Sequence, residues 1–365
     1  MDQGNIKSLN KYHVVFLIQN VMTGIGLLSM PHGLAAMGYD SWWMPLLMAA
    51  VVQATIVPMI WLCRTYPEDS LYDINRKLLG KWLGSVVNIG IILYALTIVC
   101  PIIETYSRIV QAISFPNRSI LIPVILFLAV ALYIAGGGIK LVARFCIVSF
   151  VLTFWIVYYL QWAVSKGTYT HLLPIFQTNI SEMSQAFFHT FSSLYGYELL
   201  LLYFPFIQNQ KKAWKHLTIG LWLGSFFYAL VCFVSVIYFS VWQLENIRYP
   251  VLFLFKSVEL TFIERIENVG LSLWLFLILS TAACYLWAAC KGIDGLLGSH
   301  RRIHLLGCGL FCFLIMFATS GLDTLQKWLY TSMPFIVGWC IILLPLPLMA
   351  IHGLRRRFGK TGGAV

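Results

Sequence analysis

Two glycines separated by one residue, with a proline soon after, interrupt a long apolar segment near the start of the chain. The segment reads Asn20-Val21-Met22-Thr23-Gly24-Ile25-Gly26-Leu27-Leu28-Ser29-Met30-Pro31. Glycine and proline are poor residues for a helix interior, so this stretch predicts a break in a membrane-spanning helix. Broken backbone at membrane depth is tolerated where it is buried in protein or lines a cavity. We therefore predict a ligand site to which Thr23, Gly24, Ile25 and Gly26 contribute mainly backbone groups.

The chemistry available to such a break is hydrogen bonding to an anion. Unpaired N–H groups at a helix end, together with the local dipole, favour a carboxylate, and glycine permits its close approach. The other interpretation is that Gly24 and Gly26 form a close contact between two helices.

A second apolar segment is interrupted by small and polar residues, and it reads Ser192-Ser193-Leu194-Tyr195-Gly196-Tyr197-Glu198. Carbonyl and hydroxyl groups at Ser192, Ser193 and Tyr195 are suited to an ammonium group, and Gly196 belongs to the same predicted site. Glu198 needs a partner or water, because a carboxylate within a span costs roughly 2.5–3.5 kcal/mol on insertion scales. We expect it to bind the ligand ammonium, to accept a proton, or to join its helix to another.

Three further residues are candidates for a pocket or a relay: Glu104, Tyr94 and Trp274. Arg108 follows Glu104 by one helical turn, so an ion pair between them is the structural alternative. Aromatic residues make up 15% of the chain, so Tyr94 and Trp274 are also consistent with packing or with contact to lipid.

Glu264, Arg265 and Glu267 lie next to the start of a later apolar segment. They are consistent with salt bridges at the membrane interface, and the functional alternative is a gate or a subunit contact. The nine cysteines form no CxxC or Cys/His cluster, so we expect neither a metal nor another cofactor. No nucleophile–base set is present either, so catalytic residues and an enzyme activity are not expected.

The composition indicates how these residues are positioned. The chain is 59% hydrophobic and 11% charged, with a mean hydropathy of +0.80, whereas soluble domains carry about 25% charged residues. Long apolar runs predict an all-α integral membrane protein rather than a barrel. We predict ten spans at about 11–36, 42–63, 84–112, 119–138, 141–164, 183–208, 216–242, 267–290, 303–320 and 328–352.

Charge distribution predicts the orientation. With both termini in the cytoplasm, 18 of the 25 Lys and Arg residues fall on the cytoplasmic side, as the positive-inside rule requires. This bias explains the net charge of +11 without nucleic acid. The basic tail, residues 353–365, is expected to meet lipid headgroups.

The two interrupted segments are spans 1 and 6, about half the chain apart. Five spans per half make the halves inverted in the membrane, at about 11–164 and 183–352 within a single domain, 1–365. Broken helices at matching positions of inverted repeats point to a LeuT-like fold with a site near the midplane. Segment 65–82 is predicted to be an amphipathic linker, and segment 243–266 an interfacial helix.

Several of these motifs together resemble a known family. The span 1 pattern, Asn20-x-Met22-x-Gly24-x-Gly26-Leu27-Leu28-x-x-Pro31, resembles amino acid permeases of the amino acid–polyamine–organocation superfamily. Other stretches are similar to B subunits of spore nutrient germinant receptors, namely Leu79-Gly80-Lys81-Trp82-Leu83-Gly84, Gly196-Tyr197-Glu198, Tyr249-Pro250 through Glu259-Leu260, and Phe262-Ile263-Glu264-Arg265-Ile266-Glu267.

The resemblance covers essentially the whole chain. It implies a germinant-sensing subunit in the spore inner membrane, with receptor A and C subunits as partners and an amino acid as the germinant. Two other functions stay open at this point: an autonomous amino acid transporter, and a water or ion conduit.

Overall fold

The structure is a computed structural model that describes residues 8–114, 116–173, 175–259, 266–298 and 302–361, with backbone alone for 357–361. Its first helices are α1 (Lys11–Met22), α2 (Gly26–Gly33), α3 (Met44–Thr65), α4 (Leu71–Leu79), α5 (Lys81–Ser114), α6 (Leu121–Gly136), α7 (Gly138–Thr153), α8 (Leu160–Ser165) and α9 (Ile180–Thr190). They are followed by α10 (Leu200–Tyr203), α11 (Ala213–Tyr238), α12 (Val241–Asn246), α13 (Pro250–Lys256), α14 (Ile266–Leu297), α15 (Arg302–Thr319), α16 (Asp323–Lys327), α17 (Met333–Leu343) and α18 (Pro345–Thr361).

Long apolar helices dominate the described part of the chain. Seven are long and apolar enough to cross a membrane, and α1 with α2 forms an eighth span that is bent by 50°. Spans 4 and 6 are built from shorter apolar helices, Leu121–Gly136 and Tyr197–Phe206. Each predicted span therefore has a helical counterpart, and the all-α fold with broken spans 1 and 6 is confirmed. The repeat boundaries at 11–164 and 183–352 stay predictions.

Two helices are longer than predicted. Span 3 is the single helix α5, which begins at Lys81, and span 8 is α14, which continues to Leu297. The extra turns carry polar residues and lie beyond the apolar stretch, so hydropathy alone ends the spans too early. These two helices pack along each other, and that contact places Tyr94 of α5 beside Tyr285 of α14, with ring centroids 6.2 Å apart.

The linker between spans 2 and 3 is α4, as predicted from its amphipathic pattern. Its first turn is closed by a capping box in which Ser70 and Asp73 satisfy each other's backbone amides, a standard way to stabilise a helix start. Asn75 of α4 donates a side-chain hydrogen bond to Asn88 of α5 over 2.9 Å. The linker is thereby fixed to span 3.

The linker between spans 7 and 8 differs from the prediction of one interfacial helix. It forms two short helices, α12 and α13, because Pro250 cannot donate a backbone hydrogen bond and starts a new helix. Val251, Leu254 and Phe255 are buried within the protein rather than facing the interface. Glu259 follows α13 and accepts a hydrogen bond from Lys166 over 2.5 Å. This hydrogen bond lowers the pKa of the Glu259 carboxyl group.

The last span has a π-helical turn at Trp328–Ser332 between α16 and α17. The helix continues into the basic tail, where Arg355 donates a hydrogen bond to the Lys77 carbonyl over 3.1 Å. One tail arginine is thus bonded to protein, whereas the expected contact of the tail with lipid stays a prediction.

The segment before α1 pairs with the end of span 6. The amides of Ser8 and Leu9 both lie 2.9 Å from the Phe206 carbonyl, and the Gln208 amide donates back to Leu9 over 3.0 Å. The two broken spans are therefore joined at this end as well as at their breaks.

Candidate functional site

The break in span 1 lies between α1 and α2. The Thr23 amide caps α1 by bonding to the carbonyls of Gln19 and Asn20, and its hydroxyl donates to Gln19 over 2.8 Å. At the start of α2, no side chain caps the helix, and within the described residues the amides of Ile25, Gly26 and Leu27 have no recorded acceptor. A buried helix start normally finds a partner for such amides. The binding of a ligand at these amides stays a prediction.

The break in span 6 follows α9 and a short 3-10 turn, Phe191–Leu194. Tyr195 is extended, and Gly196 has a φ of +121°, a conformation that side chains rarely adopt. A Cβ atom on Gly196 would lie 2.5 Å from Val21 Cγ1. Gly196 is therefore required by its backbone and by the close approach of span 1.

The two breaks touch each other directly. A Cβ atom on Gly26 would lie 2.6 Å from the Cβ atom of Ser193 and 2.9 Å from its backbone. The Tyr228 hydroxyl lies 2.8 Å from the carbonyls of both Met22 and Ser193, so α11 joins the ends of both breaks. The alternative interpretation of close helix contact thus describes Gly26.

The remaining residues of the predicted site divide between two surroundings. Gly24 faces α14, where its Cβ atom would lie 3.2 Å from the Thr281 hydroxyl. Tyr195 instead reaches span 10, and its hydroxyl donates to the Phe335 carbonyl over 3.1 Å. Ser192 is half-buried in the 3-10 turn, and its carbonyl accepts the Tyr195 amide.

Glu198 connects span 6 to spans 3 and 8. Its Oε1 atom accepts hydrogen bonds from Tyr94 over 2.9 Å and from Tyr285 over 2.6 Å. Its Oε2 atom accepts the Gly196 amide over 2.7 Å. The side chain is 2% exposed and borders a small cavity. The contacts of Glu198 are those of a residue that joins helices. Tyr94 belongs to the same cluster and borders the same cavity, and its role in a pocket or a relay stays a prediction.

A larger cavity lies beside the span 1 break, and its volume of about 530 Å³ includes space open to the outside. Its wall includes Thr23, Leu27 and Trp274. Leu27 carries the last of the three amides described above, and Thr23 lies two residues before the first of them. The complete wall consists of Gln19, Thr23, Leu27, Phe150, Thr153, Phe154, Ile156, Val157, Leu160, Phe227, Val231, Val251, Phe255, Trp274 and Leu277. These residues belong to α1, α2, α7, α8, α11, α13 and α14, and to the turns that follow α1 and α7.

Glu104 forms the ion pair with Arg108 that the spacing suggested, at 2.6 Å. It also accepts hydrogen bonds from Gln326 over 2.8 Å and from Tyr330 over 2.6 Å. The carboxylate therefore joins span 3 to the π-helical turn of span 10. Its place in this cluster favours a structural role over a relay.

The predicted gate is only partly described. Glu264 and Arg265 lie outside the described residues. Glu267 is in the first turn of α14 and is buried. A gate or subunit contact at these three residues stays a prediction.

Four residues that contribute to the site were missed from the sequence: Gln19, Tyr228, Thr281 and Tyr285. Their hydrogen bonds reach the breaks or Glu198 from spans 1, 7 and 8. For two of them the sequence did contain a signal. Thr281 and Tyr285 are polar residues four positions apart in an apolar span, and they therefore share a helix face.

Bent and broken helices within a bundle of long apolar helices define the class as a multi-pass membrane protein with a transporter fold. The solved structure of a Na⁺-coupled sialic acid symporter, in a substrate-bound outward-open state, supports this class. It matches with a TM-score of 0.62, covering 94% of this chain and 78% of the symporter chain. At 13% sequence identity, the match concerns the fold alone.

The family is identified by the sequence. Residues 8–324 match the model of the family described as spore germination protein, and the chain belongs to that family. Spore germination protein GerQB of Bacillus cereus is 26% identical over 93% of this chain and 94% of its own length. Spore germination protein B2 of Bacillus subtilis (strain 168) is 25% identical over 80% and 76%, and protein A2 of the same organism is 23% identical over 96% of both chains. The resemblance to germinant receptor B subunits is confirmed.

Proposed function

We propose that this membrane subunit of a germinant receptor senses a small molecule directly, and that the break in span 1 binds it. The observation that carries this proposal is the buried, uncapped start of α2 beside a cavity. Among the described residues the amides of Ile25, Gly26 and Leu27 have no hydrogen-bond acceptor, and helix starts of this kind favour anions. A germinant carboxylate satisfies them.

The preferred ligand is an amino acid. Its carboxylate binds the α2 amides, and its ammonium group binds carbonyl and hydroxyl oxygens near Ser192 and Ser193. Ligand binding then shifts an equilibrium between two arrangements of the broken spans. The Tyr228 hydroxyl, which lies against both breaks, and Glu198, which joins spans 3, 6 and 8, couple such a shift to the bundle.

The proposed setting is a receptor complex with A and C subunits in the spore inner membrane, with both termini in the cytoplasm. The names of the relatives support a shared role in germination, and the positive-inside bias supports the orientation. The predicted gate at Glu264, Arg265 and Glu267 is the proposed subunit contact.

Binding without uptake is the expected result for the purified protein. We expect saturable binding of at least one amino acid from a panel of the twenty common ones, measured by calorimetry. The tightest binder is then tested for uptake by proteoliposomes. Accumulation of the amino acid would support an autonomous transporter instead, and the absence of any binding would contradict direct sensing.

A bulky residue at Gly24 is expected to abolish the response to germinant and leave receptor assembly intact. A Cβ atom there meets the Thr281 side chain rather than backbone, with the hydroxyl 3.2 Å away, and the larger leucine side chain crowds the break. The measurement is a germinant dose-response, with subunit co-purification to follow assembly. Gly90→Leu in α5 is the matched control, because nothing lies within 4 Å of a Cβ atom there. A normal dose-response in Gly24→Leu would falsify the pocket assignment.

A further inference from the structure

We infer that the cavity beside the span 1 break selects a ligand with an uncharged, mainly apolar side chain, and that Trp274 recognises a hydrogen-bond acceptor on that side chain. This inference rests on the proposed function, because Thr23 and Leu27 at the span 1 break are part of the cavity wall. The break then binds the part common to all amino acids, and the cavity distinguishes among their side chains.

The wall of the cavity excludes charge. Eleven of its fifteen residues have hydrocarbon side chains, and the other four are Gln19, Thr23, Thr153 and Trp274. No Asp, Glu, Lys, Arg or His is among the fifteen. An unpaired charge is strongly disfavoured in such surroundings, so charged side chains are rejected.

Most polar groups on this wall already have partners. The Thr23 hydroxyl donates to the Gln19 carbonyl over 2.8 Å and accepts the Gln19 side-chain amide over 3.1 Å. The Thr153 hydroxyl donates to the Ser149 carbonyl over 2.8 Å. These three side chains stabilise their own helices and have little donor capacity left for a ligand.

Trp274 is different. Its side chain is 5% exposed, and its indole Nε1 atom is buried without a hydrogen-bond partner within the described residues. The ring is held in place by Phe255, with centroids 6.3 Å apart. An unpaired buried donor carries a free-energy cost that a partner removes. Trp274 is part of the cavity wall, and a rotation of its side chain that turns Nε1 towards the bound ligand lets an acceptor on the ligand supply that partner.

The test compares amino acids on the full-length purified protein, with Trp274→Phe and Trp339→Phe as the variants. Trp339 is the matched control, because its indole nitrogen is also buried and unpaired but it stacks on Phe191 outside this cavity. Phenylalanine and tyrosine form the probe pair, and methionine, leucine, lysine and glutamate complete the panel. Dissociation constants are measured for each pair of protein and amino acid.

We expect lysine and glutamate to bind at least about 100-fold more weakly than the best neutral side chain. In the unmodified protein, tyrosine or methionine should bind tighter than phenylalanine or leucine. Trp274→Phe should weaken binding of the acceptor-bearing side chain about five- to tenfold and leave its apolar counterpart unchanged. Trp339→Phe should change neither.

Three results would overturn the inference while leaving direct sensing intact. The first is binding of lysine or glutamate as tight as that of leucine. The second is an equal loss for tyrosine and phenylalanine in Trp274→Phe. The third combines two observations: added lipid acyl chains compete with the binding of no amino acid, and Trp274→Phe has no effect. Together they would show that the ligand does not occupy the cavity and that the cavity does not determine which ligand binds. Absence of binding by every amino acid contradicts the proposed function itself.

Discussion

Replacing Gly26 with alanine is expected to destabilise the protein strongly, and replacing it with valine to prevent its accumulation. A Cβ atom at this position would lie 2.6 Å from Ser193 Cβ and 2.9 Å from the Ser193 Cα and carbonyl oxygen. Two of these three atoms belong to the backbone of the second break, so a side-chain rotation cannot relieve the overlap. Overpacking of this kind costs about 1–3 kcal/mol for a single methyl group and more for larger groups.

The measurement is the melting temperature of the purified protein together with its yield in membranes. Gly90→Ala in α5 is the matched control, because a Cβ atom there meets nothing within 4 Å. That change should be neutral or stabilising, since alanine is favoured over glycine in a helix by about 0.5–1 kcal/mol. Equal melting temperatures for Gly26→Ala and Gly90→Ala would show that the breaks are not in close contact.

Glu198→Ala should have a comparably large effect on stability. The substitution leaves the hydroxyls of Tyr94 and Tyr285 and the amide of Gly196 without their common acceptor. Each buried donor left unpaired costs about 1–3 kcal/mol. Because the three share one partner and can relax together, we expect a total of about 3–5 kcal/mol. The readout is the free energy of unfolding in detergent micelles or lipid discs.

Graded variants separate this cluster from ordinary packing. Glu198→Gln keeps one acceptor oxygen for the Gly196 amide and should lose less than Glu198→Ala, while still weakening the germinant response more than a conservative core change. Tyr285→Phe removes a single hydrogen bond and should cost about 1 kcal/mol. Leu199→Val, beside the cluster, is the core control. If Glu198→Gln and Leu199→Val reduce the response equally, Glu198 contributes packing only.

The contrast between Gly24 and Gly26 shows how two similar glycines come to have different consequences. Both interrupt the same span, and the sequence gives no reason to separate them. In the folded protein, Gly26 lies against the backbone of span 6, whereas Gly24 lies against the end of the Thr281 side chain. Substitution therefore tests the fold at one position and the site at the other.

The sequence by itself determined the helical class, the approximate spans and the two breaks. Hydrophobic runs long enough for a bilayer report on local backbone preference, and Gly24, Gly26 and Gly196 interrupt helices because of their own conformational properties. The Glu104–Arg108 ion pair could likewise be predicted from the sequence, since the two side chains are four residues apart on one helix face. In each case the relevant interaction is local in the chain.

The tertiary structure decided which side chains converge. Tyr94 and Tyr285 reach Glu198 from positions 104 and 87 residues away in the chain, and Gln326 and Tyr330 reach Glu104 from 222 and 226 residues away. The cavity wall is likewise assembled from helices throughout the chain, and only Thr23 and Trp274 of its residues were predicted for the site. Hydropathy and spacing carry no information about helix rotation and neighbour choice, which are set by packing. For that reason the breaks are visible in the sequence, but the cavity and the partners of Glu198 exist only in the assembled bundle.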